Sequence, residues 1–494
     1  MSDTRGTQPP AAAGGRRPRR GLGRVGAYHG DDVSDVADGW SRDVNERLDP
    51  HGSAEAGAST DSGRAVDGHA SDARLAGRPT VAGDSAWPGR GIDGRPGVHG
   101  RGHERDTAAT ASPRWDLFRD VGVPLGIFAL TRLAQILVLD WMRRPGETLT
   151  NRLLSWDADW FIRVATNGYP HGYTYDPGGN LTGNELAFFP LYPWLIRLVD
   201  HLGVTPTNSA LAVSWIAAAV AAVLVYSLGR RLATGVGQPA YVARRIGYAL
   251  VLLCFAQPLS VVLSMGYSEP VFLALVAGMF LAAYRRWWLL AGLLGFAAGL
   301  TRPTGAAAAV GLATAAVICM ADPARHWREK ATAAVGSIVA LAGVPAYIGW
   351  VGLRVGHWDA WFKIQTAGWG TTFDYGRSTW DFVSATVRTG VDWVSISVML
   401  ILIIATVALA IGARQNAWLP LTVYGVLAYL LVVGQAGYFH SKPRLMLPVL
   451  VVLLPAAFAA GRARPVRATW WLIAYAAFGL WYGAYMITVW QYAI

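Results

Sequence analysis

Cysteine is scarce in this chain of 494 residues, which contains only two. Cys254 and Cys319 both lie inside apolar runs, where a thiol behaves as a small buried hydrophobe and supplies no disulfide framework. The sequence also lacks paired Cys or His residues at the spacing of a metal site, and it has no glycine-rich phosphate loop after a strand. These absences leave a Cys or His metal site and the use of a nucleotide sugar without support in the sequence.

Charged residues are also few, at 15% of the chain, whereas hydrophobic residues make up 53% and tryptophan occurs 22 times. About half of the 32 acidic residues precede Pro113, so the hydrophobic remainder holds few carboxylates. A soluble domain does not have this composition. The chain is predicted to be a polytopic membrane protein, in which any ionisable side chain near hydrocarbon depth is a candidate functional group.

The N-terminal region, residues 1–113, has sparse aromatic residues and no sustained hydrophobic periodicity. Such a segment buries too little apolar area to offset its ordering entropy, so it is predicted to be a disordered cytoplasmic tail. It contains no apolar core of the kind that a cleavable signal peptide needs. The net charge of +11 lies mainly beside the apolar runs of the remaining chain, which indicates membrane lipids rather than nucleic acid as partners.

From Phe118 onward, apolar runs follow one another, each near the roughly 20 residues that a helix needs to cross a bilayer. They predict an all-α, polytopic transmembrane helical bundle over residues 114–494 with about eleven spans. The predicted spans are 118–139, 208–229, 246–264, 268–284, 287–301, 304–320, 331–353, 393–413, 417–435, 444–460 and 469–490. The two runs beside Arg302 fit either separate spans, one broken helix or a re-entrant hairpin, because Pro303 removes a backbone donor.

Basic residues concentrate in every second predicted loop, and this alternation sets the orientation. Loops rich in Arg and Lys are retained in the cytoplasm, which places the tail in the cytoplasm and five polar clusters on the opposite face. The five clusters are Ser155–Asp159, Asn184–Glu185, Tyr267–Glu269, Thr301–Gly305 and His440–Arg444. Their position on one face favours an active site on the extracytoplasmic side of a multi-pass protein of the cell membrane.

The first predicted outer loop carries two acidic candidates. Apolar residues recur at helical spacing from Leu154 to Ala165, which predicts an amphipathic helix in the membrane interface with Asp157 at headgroup height. Glu185 begins an aromatic, proline-rich segment that suits a second interfacial element. A carboxylate in this position can act as the general base on an acceptor hydroxyl. Alternatively, Asp157 caps a helix N-terminus and Glu185 pairs with a loop arginine.

The order of these motifs resembles that of a known family. The motifs are Trp156-Asp157, Trp160-Phe161, Gly168-Tyr169, the segment from Glu185 to Pro193, Ser268-Glu269 and Thr301-Arg302. Together they resemble the PIG-V mannosyltransferases, which are GT-C glycosyltransferases, and the likeness extends from about Phe118 to the C-terminus. The resemblance implies a GT-C-like multi-span enzyme, expected here to be a bacterial member, that uses a lipid-phosphate-linked sugar on the outer or luminal side.

The resemblance also implies a role for each polar candidate. Asp157 would deprotonate the acceptor hydroxyl, with inversion at the donor's anomeric centre and a polyprenyl phosphate as leaving group. The developing phosphate charge needs cations, and Arg302, Lys442 and Arg444 are predicted to bind it. His440 either donates to phosphate as well or is an ordinary loop residue. The alternative for Lys442 and Arg444 is contact with lipid headgroups from a helix end.

Glu269 has a different expected role. Ser268 and Glu269 precede Pro270 at the start of a predicted span, a pattern typical of a helix N-terminus. We predict that Glu269, with Ser268 and Trp156, orients the site, and a pairing of Glu269 with Arg302 is one way to do so. Direct chemistry is assigned to Asp157, with Glu185 as the second catalytic candidate.

The expected partners follow from these assignments: a polyprenyl-phosphate-mannose donor, a lipid, glycolipid or protein acceptor, and no metal or other cofactor. The predicted outer loop 354–392 is rich in tryptophan and tyrosine, which suit either stacking on an acceptor sugar or an interfacial belt. A lipid or solute transporter is the main alternative function. Transporters tend to have internal repeats and coupling residues near the midplane, and the sequence shows neither.

Overall fold

The computed structural model describes residues 117–390, 392–416, 418–490 and 492–494. The predicted tail, residues 1–113, lies outside the described residues. Within them, helices dominate, as the sequence predicts. The β-structure consists of an isolated bridge between Phe373 and Gln435 and a hairpin of two short strands, β1 (Thr174–Tyr175) and β2 (Leu181–Thr182). The hairpin is antiparallel and pairs Thr174 with Thr182.

Seventeen α-helices occur in the described ranges, and a π-helical turn, Phe118–Gly122, leads into the first of them. In chain order they are α1 (Val123–Met142), α2 (Leu149–Leu153), α3 (Asp157–Asn167), α4 (Leu191–Asp200), α5 (Pro206–Gly235), α6 (Ala240–Phe255), α7 (Glu269–Tyr284), α8 (Trp288–Gly299), α9 (Gly305–Ala321), α10 (Trp327–Val355), α11 (Ala360–Trp369), α12 (Arg377–Thr389), α13 (Trp393–Gln415), α14 (Leu419–Val433), α15 (Lys442–Leu445), α16 (Leu450–Arg462) and α17 (Pro465–Thr488).

Four of these helices are long and apolar enough to cross a membrane: α1 with its preceding turn, α5, α10 and α13. The segments Phe439–Leu445 and Leu450–Arg462 meet these criteria together but are bent by 64° where they join. Counting this bent pair as one span gives five spans. Helices α7, α8, α9 and α14 are apolar but shorter than 18 residues. The structure therefore supports a membrane-spanning helical protein without confirming the predicted count of about eleven spans.

The predicted span 246–264 is not a single helix. Helix α6 ends at Phe255, and a buried non-helical segment continues to Ser268, interrupted by one 3-10 turn at Ser260–Leu263. Pro258 explains the end of α6, because proline lacks a backbone donor and its ring clashes with the preceding turn. Leu259 follows with a φ of +62°, a left-handed conformation that turns the chain. This helix break places Ser268 and Glu269 at the start of α7.

The two runs beside Arg302 form two separate helices, α8 and α9, joined by residues 300–304. Pro303 again interrupts the backbone hydrogen bonds. Gly305 then packs on the end of α8, since a Cβ atom on Gly305 would lie 2.6 Å from the Cα of Gly299. The resulting turn is tight and carries Arg302.

Helices α8 and α10 pack along glycines. A Cβ atom on Gly299 would lie 2.9 Å from the Cα of Gly343, and one on Gly336 would overlap the carbonyl oxygen of Trp288. Small residues at such positions let two membrane helices approach closely, so that van der Waals contact and backbone dipoles hold them together. This pair anchors α10, from which the chain continues into α11.

We expect Gly336→Ala to destabilise the folded protein by about 1–3 kcal/mol, the usual cost of overpacking a close contact. The measurement is thermal unfolding of the purified protein in detergent. Gly349→Ala on the same helix is the matched control, because a Cβ atom there meets nothing within 4 Å. Equal melting temperatures for the two variants would contradict the proposed glycine contact.

Helices α3 and α4 pack against α5 and α7 through a separate apolar cluster. Its buried members are Phe161, Ala165, Tyr192, Ile196, Ala210, Val213 and Val271. The Phe161 and Tyr192 rings meet edge to face with centroids 4.9 Å apart. This contact fixes α3, and with it Asp157, beside the start of α7.

Candidate active site

Asp157 is the first residue of α3, and the residue before it has an unusual backbone. Trp156 has φ +58° and ψ −113°, a conformation that costs a non-glycine residue on the order of 1–3 kcal/mol. The Trp156 side chain packs against the main hydrophobic core, which holds it there. The N-cap position of α3 is Trp156, and no side-chain hydrogen bond caps the helix from it. The carboxylate of Asp157 points to a cation on another helix.

That cation is Arg444, on the short helix α15. Its Nη1 lies 2.8 Å from Oδ2 of Asp157, and its Nε lies 3.4 Å from Oε1 of Glu269. The Arg444 side chain is 10% exposed and that of Glu269 only 2% exposed. One buried guanidinium thus joins the first predicted outer loop to the start of α7.

Arg302 extends this arrangement from the opposite side of Glu269. Its Nη1 lies 2.6 Å from Oε1 of Glu269 and donates to Oγ of Ser268 at 3.2 Å. Asp157, Arg444, Glu269 and Arg302 therefore form one chain of alternating charges, which we call the ion-pair chain. Two cations balance two carboxylates, and this balance is what makes the burial of Glu269 and Arg444 tolerable.

Tyr267 packs against the ion-pair chain. Its ring lies under Arg444, with the guanidinium carbon 5.3 Å from the ring centroid. Its hydroxyl donates to the Ser155 carbonyl at 3.3 Å and accepts from the backbone N–H of Asp157 at 3.4 Å. Burial, together with the nearby Asp157 carboxylate, raises the pKa of Tyr267 well above its usual value, so the phenol keeps its proton. Tyr267 thereby positions both Asp157 and Arg444.

Sequence reasoning assigned Tyr267 no role, although it lies in one of the five polar clusters. Its placement depends on residues that are distant in sequence. Ser214 donates to the Tyr267 carbonyl at 3.0 Å, and Tyr192 shares a 2.8 Å hydrogen bond with Ser214. Tyr192 belongs to the aromatic, proline-rich segment after Glu185. Part of that segment therefore helps to hold Tyr267 in place, through Ser214.

Lys442 and His440 are near the site in sequence but have other contacts in the structure. The Lys442 ammonium donates to the carbonyl oxygens of Val432 at 2.9 Å and Gln435 at 2.6 Å, at the C-terminal end of α14. The His440 ring bonds to the Ala493 carbonyl. The structure therefore brings Arg444 and Arg302 into the ion-pair chain, but not Lys442 or His440.

Glu185 is also apart from the ion-pair chain. It begins a 3-10 turn capped by Asn184, whose side-chain oxygen accepts from the backbone N–H of Leu186 at 3.0 Å. Within the described ranges, no hydrogen bond or ion pair joins the Glu185 carboxylate to Asp157, Arg444 or Arg302.

The tryptophans of the loop 354–392 have two different environments. Trp361 is buried, and its indole N–H donates to the Ala187 carbonyl at 3.3 Å. Trp369 packs edge to face against Trp160 and Phe188. These two brace the first predicted outer loop, whereas Trp358, Tyr375 and Trp380 are exposed.

The part of the chain that the structure describes holds no group of three or more His, Cys, Asp or Glu side chains arranged to bind a metal. Asp159, two residues after Asp157, pairs instead with Arg163 on the exposed face of α3. The site thus combines a partly exposed carboxylate, that of Asp157, with the fixed guanidinium groups of Arg444 and Arg302. The carboxylate can accept a proton, and the guanidinium groups can bind an oxyanion.

Sequence reasoning also missed a buried cation. Arg132 lies within the first apolar run and is fully buried, with guanidinium hydrogen bonds to the segment between α6 and α7. A charge in the middle of a predicted span was the available signal. The length and hydropathy of that run indicate a span but do not indicate a role for Arg132.

Two comparisons found similar proteins, and a third, with the curated proteins, gave no match. Among the solved structures, it is similar to the archaeal oligosaccharyltransferase AglB from Archaeoglobus fulgidus, in complex with an inhibitory peptide and a dolichol-phosphate. The identity is 11% and the TM-score 0.37, over 74% of this chain and 55% of that chain. This chain thus spans about half the length of the oligosaccharyltransferase.

The family model described as Mannosyltransferase (PIG-V) matches residues 141–329. That range includes Asp157, Glu185, Glu269 and Arg302, and it ends before Arg444. The match confirms the resemblance predicted from the order of the motifs. The chain therefore resembles the PIG-V mannosyltransferases over residues 141–329, and it has helices that are long and apolar enough to cross a membrane.

Proposed function

We propose that the protein is a GT-C mannosyltransferase that moves mannose from a polyprenyl-phosphate-linked donor to a hydroxyl of a lipid, glycolipid or protein acceptor on the outer face of the membrane. The observation that carries this proposal is the 2.8 Å contact between Asp157 and Arg444. It puts a proton-accepting carboxylate beside a cation that suits a phosphate leaving group.

The proposed reaction is a single displacement. An oxygen of Asp157 accepts the acceptor's hydroxyl proton while the acceptor oxygen forms its bond to C1 of mannose. The bond between C1 and the phosphate oxygen breaks at the same time, and polyprenyl phosphate leaves with that electron pair. Attack from the face opposite the phosphate inverts the anomeric centre.

Asp157 is the best placed carboxylate for this step. Its side chain is 22% exposed, whereas that of Glu269 is 2% exposed, and an oxygen of Glu269 is held between two guanidinium groups. A base must come within about 3 Å of the proton it takes, which favours the more accessible group. We assign orientation of the two arginines to Glu269.

Arg444 and Arg302 are the proposed phosphate ligands. A guanidinium binds two phosphate oxygens at once, and its attraction grows as negative charge develops on the leaving group, which lowers the barrier. Because Lys442 holds the end of α14, we limit the phosphate site to the two arginines.

The orientation is also part of the proposal. Basic residues in alternate loops support a multi-pass protein of the cell membrane with a cytoplasmic N-terminal tail and the ion-pair chain near the outer face. A polyprenyl tail would then remain in the bilayer while its phosphate reaches Arg444.

The test is transfer of radiolabelled mannose from polyprenyl-phosphate-mannose by the purified full-length protein in lipid vesicles, with a membrane lipid extract and a protein fraction as acceptors. We expect label in an acceptor, and none when a nucleotide-linked mannose replaces the donor. Passage of the intact donor across the bilayer without transfer would instead identify a transporter and overturn the proposal.

We expect Glu269→Gln to lower turnover by about tenfold, a smaller loss than that from Asp157→Asn, because the amide keeps its shape but no longer holds the arginines by charge. The measurement is kcat of mannosyl transfer by the folded, purified variant. Glu147→Gln is the matched control, since Glu147 also pairs with an arginine, Arg152, but does not belong to the ion-pair chain. Complete loss in both Glu269→Gln and Asp157→Asn would contradict this ranking.

A further inference from the structure

A buried arginine outside the ion-pair chain raises a separate question. Arg132 lies near the middle of α1, a helix that is long and apolar enough to cross a membrane, and none of its surface is exposed. A cation in such a position costs several kcal/mol unless it is paired or well hydrogen-bonded. No carboxylate pairs with Arg132 among the described residues.

All the groups that accept hydrogen bonds from Arg132 belong to one segment. Its guanidinium donates to the Ser260 carbonyl at 2.7 Å, to Oγ of Ser264 at 3.0 Å and to the Phe255 carbonyl. It also lies 5.8 Å from the centroid of the Phe255 ring. Phe255 is the last residue of α6, and the two serines lie in the helix break before α7.

The end of α6 explains why hydrogen-bond donors are needed there. The last carbonyl groups of a helix have no partner within the helix and carry its negative dipole end. At Pro258 the chain cannot continue the helix. The carbonyl oxygens of Leu253 and Cys254 accept from Tyr475 and Gln257, and that of Phe255 accepts from Arg132. Arg132 donates to the end of α6 and, within the break, to Ser260 and Ser264, and it thereby ties together the backbone between Phe255 and Ser264.

The far end of the same segment builds the active site. Two residues beyond Ser264, the backbone N–H of Gly266 donates to the Leu153 carbonyl at 2.9 Å. Tyr267 and Glu269 then supply the contacts to Asp157 and to both arginines of the ion-pair chain. Ser264 thus lies only three to five residues before Tyr267 and Glu269, which contact the base and the two arginines.

We infer that Arg132 is a positioning residue for glycosyl transfer, which acts by fixing the helix break so that Tyr267 and Glu269 meet Asp157, Arg444 and Arg302 in register. The inference rests on the proposed function for its kinetic consequence only. Its structural consequence, the order of the segment between α6 and α7, stands without any assumption about the reaction.

The test compares Arg132→Met with Gln135→Met in the full-length purified protein. Gln135 is the matched control, because it is equally buried one turn along α1 but donates to the Leu480 carbonyl on α17 instead of the helix break. Two measurements are made on folded material: hydrogen–deuterium exchange of peptides covering residues 255–269, and kcat and KM for mannosyl transfer.

We expect Arg132→Met to speed hydrogen–deuterium exchange over residues 255–269. It should also lower kcat by at least about tenfold and change KM by less than about twofold, because misplaced catalytic groups slow the reaction without weakening substrate binding. Gln135→Met should lower thermal stability while leaving both readouts near wild type. Arg132→Lys, which keeps the charge but not the forked geometry, should recover part of kcat. Ser264→Ala, a milder change, should shift both readouts in the same direction.

Unchanged exchange over 255–269 in both Arg132→Met and Arg132→Lys would overturn the inference, whatever the activity. Equal loss of kcat in Arg132→Met and Gln135→Met would also overturn it, because a general loss of stability would then suffice. If the wild-type protein transfers no mannose, the proposed function fails, while the exchange comparison still decides whether Arg132 holds the helix break.

Discussion

Asp157→Asn is expected to lower kcat for mannosyl transfer by about a thousandfold, which lies within the range that general-base catalysis contributes. The amide has nearly the shape of the carboxylate but cannot accept the acceptor's proton at neutral pH. The measurement is transfer of radiolabelled mannose from polyprenyl-phosphate-mannose at saturating donor.

The substrate affinity of this variant should change in a different way from its turnover. In the wild-type protein the Asp157 carboxylate is bound to Arg444, so it competes with a donor phosphate for the same guanidinium. Removing the carboxylate charge removes the competitor. We therefore expect Asp157→Asn to bind polyprenyl phosphate at least as tightly as the wild type, so that the defect appears in kcat and not in donor binding.

Asp159→Asn is the matched control for this experiment. Asp159 lies two residues away on the same helix, but its carboxylate is exposed and pairs with Arg163. We expect kcat near that of the wild type. An Asp157→Asn enzyme that turns over at the rate of the Asp159→Asn enzyme would remove the assignment of Asp157 as the base.

Arg444→Met is the second change with a large expected effect. It removes a proposed ligand of the leaving phosphate, and loss of one such group in other enzymes costs about a hundredfold to a thousandfold in kcat. It also leaves the Asp157 carboxylate without its cationic partner, and it removes one of the two cationic partners of the buried Glu269. We therefore expect loss of both turnover and affinity for polyprenyl phosphate, together with a lower melting temperature, because an unbalanced buried charge is destabilising.

Two further variants separate these effects. Arg444→Lys keeps the charge balance but not the bidentate fork, so it should restore stability more fully than kcat. Lys442→Met removes a cation two residues away that holds backbone carbonyls of α14, and it should reduce stability with little change in affinity for polyprenyl phosphate. If Lys442→Met and Arg444→Met lose this affinity equally, the phosphate site is not limited to the two arginines.

The contrast between Lys442 and Arg444 shows where reasoning from sequence reaches its limit. Both residues belong to one polar cluster, and both were equally good candidates for phosphate binding. Arg444 points toward Asp157, whereas Lys442 points toward the end of α14. This difference arises from the direction in which a four-residue helix enters the bundle, which neither residue type nor spacing specifies.

Composition and local pattern were sufficient for the class of protein and for much of its secondary structure. The apolar runs predicted most of the long helices, helical spacing predicted the helix that begins at Asp157, and the order of the motifs predicted the family resemblance that the family model confirms. These features are local, because hydropathy and backbone preference act over one or two helical turns. The number of spans is not a local feature, because a run of apolar residues does not show where a helix within it ends.

The site itself was decided by tertiary structure. Glu269 lies 112 positions after Asp157, and Arg444 lies still further along the chain, yet one guanidinium contacts both carboxylates. Arg132 reaches the helix break from a third part of the chain. The sequence by itself determined which residues are polar in an apolar chain and which segments become helices. Only the packing of those helices decided which charges meet, because burying a charge is tolerable only where the fold brings a partner to it.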